Sequence, residues 1–187
     1  ELARGEIPQI ALNQLYKHTQ MQTTFGVIML ALVDRRPQVV NLREMLEAFI
    51  RFRREVVTRR TRYDLARAEE RAHILEGLKK AVEHLDLVIR LIRGAENPDA
   101  AREALMSRLD LTEAQAKAIL DMRLQRLTQL ERHKIVEDHE QTMALIADLK
   151  GILASEPRLM GLIKEELLAI KAEYGDERRT EILTETA

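Results

Sequence analysis

From Ala68 to Ile92 apolar residues recur as Ala68, Ala72, Leu75, Leu78, Val82, Leu85, Ile89 and Ile92, spaced 4-3-3-4-3-4-3. A stripe this narrow is the seam of a helix that meets one partner helix. Asn41, with Glu44 three residues on, supplies the start of that helix and Gly94 its stop. Leu42 to Arg93 is therefore predicted as one outgoing helix of 52 residues, about 78 Å long at ~1.5 Å per residue. Asn97-Pro98, a cap with proline at the first helical position, opens a short helix through Leu109. Gln129 to Ala154 then repeats apolar residues at Leu130, Val136, Met143, Ile146, Leu149 and Leu153. Pro157 to Tyr174, capped by Ser155 and stopped by Gly175, continues with Leu159, Leu162, Ile163, Leu167 and Ile170. End to end, these two segments approach the length of the outgoing helix, so the pattern predicts a long antiparallel coiled-coil arm.

Between the limbs, Leu111 to Arg132 has a wider apolar face: Ala116, Ile119, Leu120, Met122, Leu124 and Leu127. That width calls for neighbours on more than one side. Two capping boxes, Thr112 with Gln115 and Thr128 with Glu131, place an elbow near Leu127 and Thr128. A small helical knob at the tip of a thin arm has little room to bury this face, and a two-fold contact with a second copy would complete the burial. The candidate interface is Ile119, Leu120, Met122, Arg123, Leu124 and Leu127, with Arg123 and Arg126 flanked by Asp121 and Glu131.

A third rhythm lies near the N-terminus. Leu12 to His18 suits a short helix, and Thr23 to Val33, almost continuously apolar, is followed by Asp34-Arg35-Arg36-Pro37 and Gln38-Val39-Val40. This reads as a β-hairpin whose first strand is covered on both faces. The opening ELARGEIPQI has no start signal of its own and reads as the continuation of something upstream, while Asp176 to Ala187, charged and Thr-rich, reads as a linker. The fold class is mainly α, with one short β-hairpin.

Composition agrees and narrows the chemistry. Only 3% of the 187 residues are aromatic, with 7 Gly and 4 Pro, which favours long helices packed through Leu, Ile, Val and Ala. There is no Cys, so thiolate zinc sites and disulfides are excluded, in keeping with a reducing compartment. The longest apolar run, Phe25 to Val33, is far short of the ~20 residues a membrane span needs. His18, His73, His84, His133 and His139 lack metal-ligand spacing, no tyrosine sits in a nucleophile's setting, and no Gly-rich phosphate loop occurs. No catalytic or metal-ligating residues are assigned.

Charge changes the picture. The net charge of −1 divides into +5 over residues 1–62 and −6 over residues 63–187. Six arginines, Arg51, Arg53, Arg54, Arg59, Arg60 and Arg62, fall within twelve residues of the outgoing helix. Two readings stand side by side: a solvated helix face paired with Glu55 and neighbouring acids, or a surface for DNA phosphates without base readout.

Four strings carry a resemblance: NQLYKHTQMQTTFGVIMLALVD (Asn13 to Asp34), FIRFRREVVTRRTRYDLARAEERAHILEGL (Phe49 to Leu78), QAKAILDMRLQRLTQLER (Gln115 to Arg132) and GDERRTEI (Gly175 to Ile182). Together they resemble the DNA gyrase A subunit family of type IIA topoisomerases, co-linearly over nearly the whole chain. The resemblance implies the C-terminal part of the breakage-reunion core: residues 1–41 the end of the tower domain, 42–93 the outgoing arm, 94–128 the knob of the exit gate, 129–175 the returning arm, and 176–187 a linker. It implies a two-fold homodimer that acts on DNA with the gyrase B subunit in the bacterial cytoplasm, at the nucleoid, and that supercoils DNA negatively at the expense of ATP. The family's nucleophilic tyrosine sits in an Arg-Tyr-Thr context, a string this chain lacks. ATP and Mg2+ would be held by the rest of the core together with the B subunit, and no cofactor is assigned here. Arg35 departs from the family, which usually has Gly after the residue matching Asp34. The corresponding region of topoisomerase IV is the alternative within the family. A structural coiled-coil dimerisation module and a self-sufficient enzyme are the alternatives outside it.

Overall fold

A computed structural model of the protein describes residues 5, 7–123 and 129–182. Within these lie seven helices and one two-stranded sheet, and the chain divides into two compact units, residues 1–50 and 51–187.

In the first unit, α1 (Pro8–His18) starts earlier than the apolar pattern indicates, because Pro8 takes the first helical position where its missing N–H costs nothing. The strands β1 (Leu30–Val33) and β2 (Arg36–Val39) pair antiparallel, Leu30 opposite Val39 and Val33 opposite Arg36. The expected first strand, Thr23 to Val33, is thus only its last four residues. Its partner cannot be longer: Val40 N–H donates to the Met29 carbonyl, and Asn41 already begins the next helix, so the ladder ends there. The turn is Asp34-Arg35 alone, both at positive φ (51° and 64°), as a two-residue primed turn requires. Arg35 adopts there a conformation that Gly would take without a steric penalty. Pro37 pairs with Leu32, which it tolerates because each strand of a lone hairpin is an edge. The expected cover over the apolar strand is not supplied by the described residues: Phe25, Ile28 and Leu32 stand exposed.

The helix α2 (Leu42–Glu83) opens with a reciprocal capping box, Asn41 Oδ1 accepting from Glu44 N–H at 2.9 Å and Glu44 Oε2 accepting from Asn41 N–H at 2.8 Å. Its continuation does not reach Arg93. His84 leaves the helical region (φ −114°, ψ 37°), and a separate helix, α3 (Leu85–Gly94), follows. The predicted seam is buried from Ala68 through Val82, but beyond the break Val88 is buried, Leu85 and Ile89 are half-buried and Ile92 is exposed. The reason is packing: Val88 joins Leu78, Ala81 and Val82 of α2 in a core with Leu105, Leu111, Ala116, Ile119 and Ile135, and an unbroken helix would carry it past.

After α3 come α4 (Pro98–Leu109), α5 (Glu113–Leu120), α6 (Gln129–Ala154) and α7 (Glu156–Tyr174). Asn97 caps α4, its side chain accepting from Ala100 N–H at 2.8 Å, and Ser155 caps α7, accepting from Arg158 N–H at 3.4 Å. Limb pairing in the second unit is antiparallel. Val57 meets Leu159 and Ile163; Ala68 and Ala72 meet Ile146 and Leu149; Leu78 to Val82 meet Ile135. On α6 the buried face is Ile135, Thr142, Ile146 and Leu149, so Ile135 and Thr142 take the places predicted for Val136 and Met143, while the Leu130 side chain lies outside what is described. Thr142 is tolerated inside because its hydroxyl donates to the Asp138 carbonyl at 2.7 Å.

Candidate functional site

The tip is built by the short helix α5. Thr112 and Gln115 form the predicted capping box: Thr112 Oγ1 accepts from Gln115 N–H at 3.4 Å and Gln115 Oε1 accepts from Thr112 N–H at 3.0 Å. The helix ends sooner than the elbow near Leu127. Leu120 is its last residue, Asp121 its C-cap, and the Met122 N–H folds back onto the Ile119 carbonyl at 3.2 Å.

This geometry sorts the candidate interface residues. Ile119 is 3% exposed and belongs to the knob's own core with Ala116 and Leu105. Leu120 and Met122 are half-buried at the edge of that core, and Arg123 is exposed. Leu124 and Leu127 lie outside the described residues, as do Arg126, Thr128 and the proposed elbow. Leu120 and Met122 line an apolar groove of about 300 Å3 together with Leu85, Val88, Ile89 and Ile92 of α3. Spacing alone assigns Leu85, Ile89 and Ile92 to the arm seam, and the break at His84 brings them to this groove instead. The available signal was that α3 is apolar on two faces, Leu85-Ile89-Ile92 and Val88-Leu91. Met122 and Arg123 also line a second cavity of about 550 Å3 with Asp121, Glu131, Ile74 and Leu78. Glu131 pairs within α6, to Lys134 at 2.7 Å.

The arginine run divides differently. Arg53 Nη2 donates to Glu166 Oε2 at 2.8 Å, Arg60 donates to the other oxygen of Glu166, and Arg54 pairs with Glu156 at 2.8 Å. These partners lie on α7, more than a hundred residues away, and Glu55 is not among them. Arg53 and Arg60 are two turns apart on one face, on either side of Val57, which is wholly buried against Leu159 and Ile163. Arg51 also has a partner. Arg59 and Arg62 are exposed and have no ion pair among the described residues. One turn beyond, Arg67 lies 5.5 Å from the Tyr63 ring centroid. Its pKa is raised by hydrogen bonding to Tyr63 and then by the charge of Glu70.

Among the described residues no three His, Asp or Glu side chains are grouped to hold a metal ion, and no helix is long and apolar enough to cross a membrane.

A family profile for the A subunit of DNA gyrase/topoisomerase IV matches residues 1–168 of this chain. The chain belongs to that family. It is 53% identical over 182 residues to the DNA gyrase A subunit of Clostridium acetobutylicum, covering 97% of this chain and 22% of that protein. The corresponding protein of Deinococcus deserti is 54% identical over 182 residues, and that of Streptococcus pneumoniae serotype 4 is 50% identical over 183 residues, again with 22% of each relative covered. The chain thus spans about a fifth of the length of the gyrase relatives it matches. Within this gyrase and topoisomerase IV family, the mainly α arrangement expected from sequence, with a long helix and a short hairpin, is the one found.

Proposed function

We propose that this segment is the dimerisation and exit gate of a DNA gyrase A subunit. Two copies meet through the apolar shelf at the tip and hold a DNA-enclosing ring shut. They part when a transported duplex leaves during ATP-dependent negative supercoiling. The observation that carries this reading is the groove at the end of the antiparallel hairpin, where Leu120 and Met122 stand beside Leu85, Ile89 and Ile92 with apolar surface that no other described residue fills. A second copy offers the same surface, which is what a self-complementary two-fold contact requires. Leu124 and Leu127 would extend it. The work of this segment is mechanical. The chain has no Gly-rich phosphate loop, and no role for ATP or Mg2+ is assigned to its residues. Those groups and the nucleophilic tyrosine belong to the remainder of the breakage-reunion core and to the B subunit of the bacterial cytoplasmic complex.

The chain is expected to sediment as a dimer at micromolar concentration, and Met122→Asp, which places a charge on the shelf, to sediment as a monomer with unchanged helical content. A monomeric wild-type chain at that concentration would overturn the gate reading.

DNA contact is assigned to the exposed cations that α7 does not engage. Neutralising Arg59 and Arg62 together is expected to weaken salt-sensitive, non-specific DNA binding and to lower the salt slope by about 2, one for each arginine withdrawn from a phosphate. An unchanged slope in a salt titration would make the run an arm clamp alone.

A further inference from the structure

Gln115 is 3% exposed, the most buried amide among the described residues. Both ends of its side chain are engaged. Oε1 accepts from Thr112 N–H, as a capping box demands, while Nε2 leaves the helix and donates to the main-chain carbonyl of His73 on α2 at 2.7 Å. The same Nε2 lies 3.5 Å from His73 Nδ1. His73 Nε2 in turn lies 2.7 Å from Thr112 Oγ1, within hydrogen-bond distance. Thr112 and Gln115 are therefore locked to each other and both to His73.

Gly77, one turn further along α2, gives the lock its closeness. A Cβ placed on Gly77 would lie 2.6 Å from Gln115 Cβ, inside any real contact. A glycine in the interior of a long helix weakens it, and here it admits the Gln115 side chain against the α2 backbone. No other polar contact joins α2 to α5 among the described residues. Apolar contacts such as Ala116 and Ile119 in the shared core tolerate a small slide, whereas hydrogen bonds lose strength over a few tenths of an ångström and modest angles. The register of α5 along α2 is thus set by the polar lock. Leu120 and Met122 follow from the end of α5 within two residues, so their position is set by it as well.

We infer that Gln115, locked to His73 and seated against Gly77 of the long helix, is the positioning residue that makes the gate helix move with the arm instead of slipping along it. This deepens the gate reading and rests on it: separation of two tips requires that a displacement of the arm reach the shelf undiminished.

The test uses the complete gyrase complex carrying Gln115→Leu, which keeps the bulk and removes the amide. Spin labels on exposed positions of α2 and α5 report the distance between the two helices. Strand passage per ATP hydrolysed reports coupling, and DNA cleavage and tip dimerisation serve as controls. The expected result is a broadened α2 to α5 distance distribution, unchanged cleavage and dimerisation, and strand passage per ATP reduced about tenfold. Broadened distances with normal passage would overturn the coupling role, and a narrow distribution like that of the wild type would overturn the lock itself. Should Gln115→Leu fail to fold, His73→Ala removes the exposed imidazole and leaves no cavity; it is expected to act in the same direction, about threefold, and an unchanged passage ratio would overturn the inference. Failure of the gate reading is separately visible: a cysteine cross-link across the two tips would then leave passage unaffected, whereas the distance measurement does not depend on gating.

Discussion

Leu105→Ala is expected to destabilise the knob by about 3 kcal/mol, within the 2 to 5 kcal/mol typical of a leucine truncated where its surroundings cannot collapse. Leu105 sits on α4 with 0% exposure, surrounded by Val88, Leu111, Ala116, Ile119 and Ile135, side chains contributed by three other helices and by the turn between α4 and α5. No single helix can move in to fill the space without breaking its packing against the others, so a cavity should persist. Urea unfolding should show a lower midpoint with an unchanged slope. Amide exchange should accelerate in α4 and α5 more than in α7, which belongs to a different apolar cluster with Val57. A loss below about 1 kcal/mol would mean that the knob is loosely packed and cannot present a defined shelf.

Glu166→Lys should cost on the order of 2 kcal/mol and act on the other end of the arm. Glu166 is the shared acceptor of Arg53 and Arg60, and its side chain and that of Arg53 are each only 25% exposed. An exposed ion pair contributes ~0 to 1 kcal/mol. This one differs because a single carboxylate serves two guanidiniums over a buried apolar contact, and because Arg53 Nε is already buried without a partner among the described residues. Reversing the charge would leave three cations facing one another across the α2 to α7 seam. Thermal unfolding should register the loss, and added salt should shrink the difference between variant and wild type as the repulsion is screened. Equal stability at low salt would show that the seam rests on Val57, Leu159 and Ile163 alone.

These two variants also separate what could be read along the chain from what could not. The helix starts at Asn41, Asn97, Thr112 and Ser155 were legible because a cap is satisfied by backbone groups two or three residues away, and those neighbours are written in the sequence. The end of α5 was less legible. Nothing at Asp121 is a helix breaker, yet it is the C-cap, and the Met122 N–H turns back to the Ile119 carbonyl there. Of the proposed interface, Leu120 and Met122 were legible as apolar tip residues, but the α3 wall of the groove was not, since it depends on the turn at His84. The arginine run was conspicuous as a cluster of like charge, yet its partners were invisible. Glu166 is 113 residues from Arg53, and local spacing carries no information about which carboxylate an antiparallel return will bring alongside.

The sequence by itself determined the class of the fold, the antiparallel return, the caps that punctuate it and the apolar surplus at the tip, because periodicity and capping are short-range and survive without knowledge of neighbours. Only the tertiary structure decided where the long helix breaks, which face of α6 turns inward, which arginines are committed to α7, and that a buried glutamine ties the tip to the arm. Each of those is a choice between locally equivalent conformations or partners, and the energy that makes the choice comes from contacts between residues far apart in the chain.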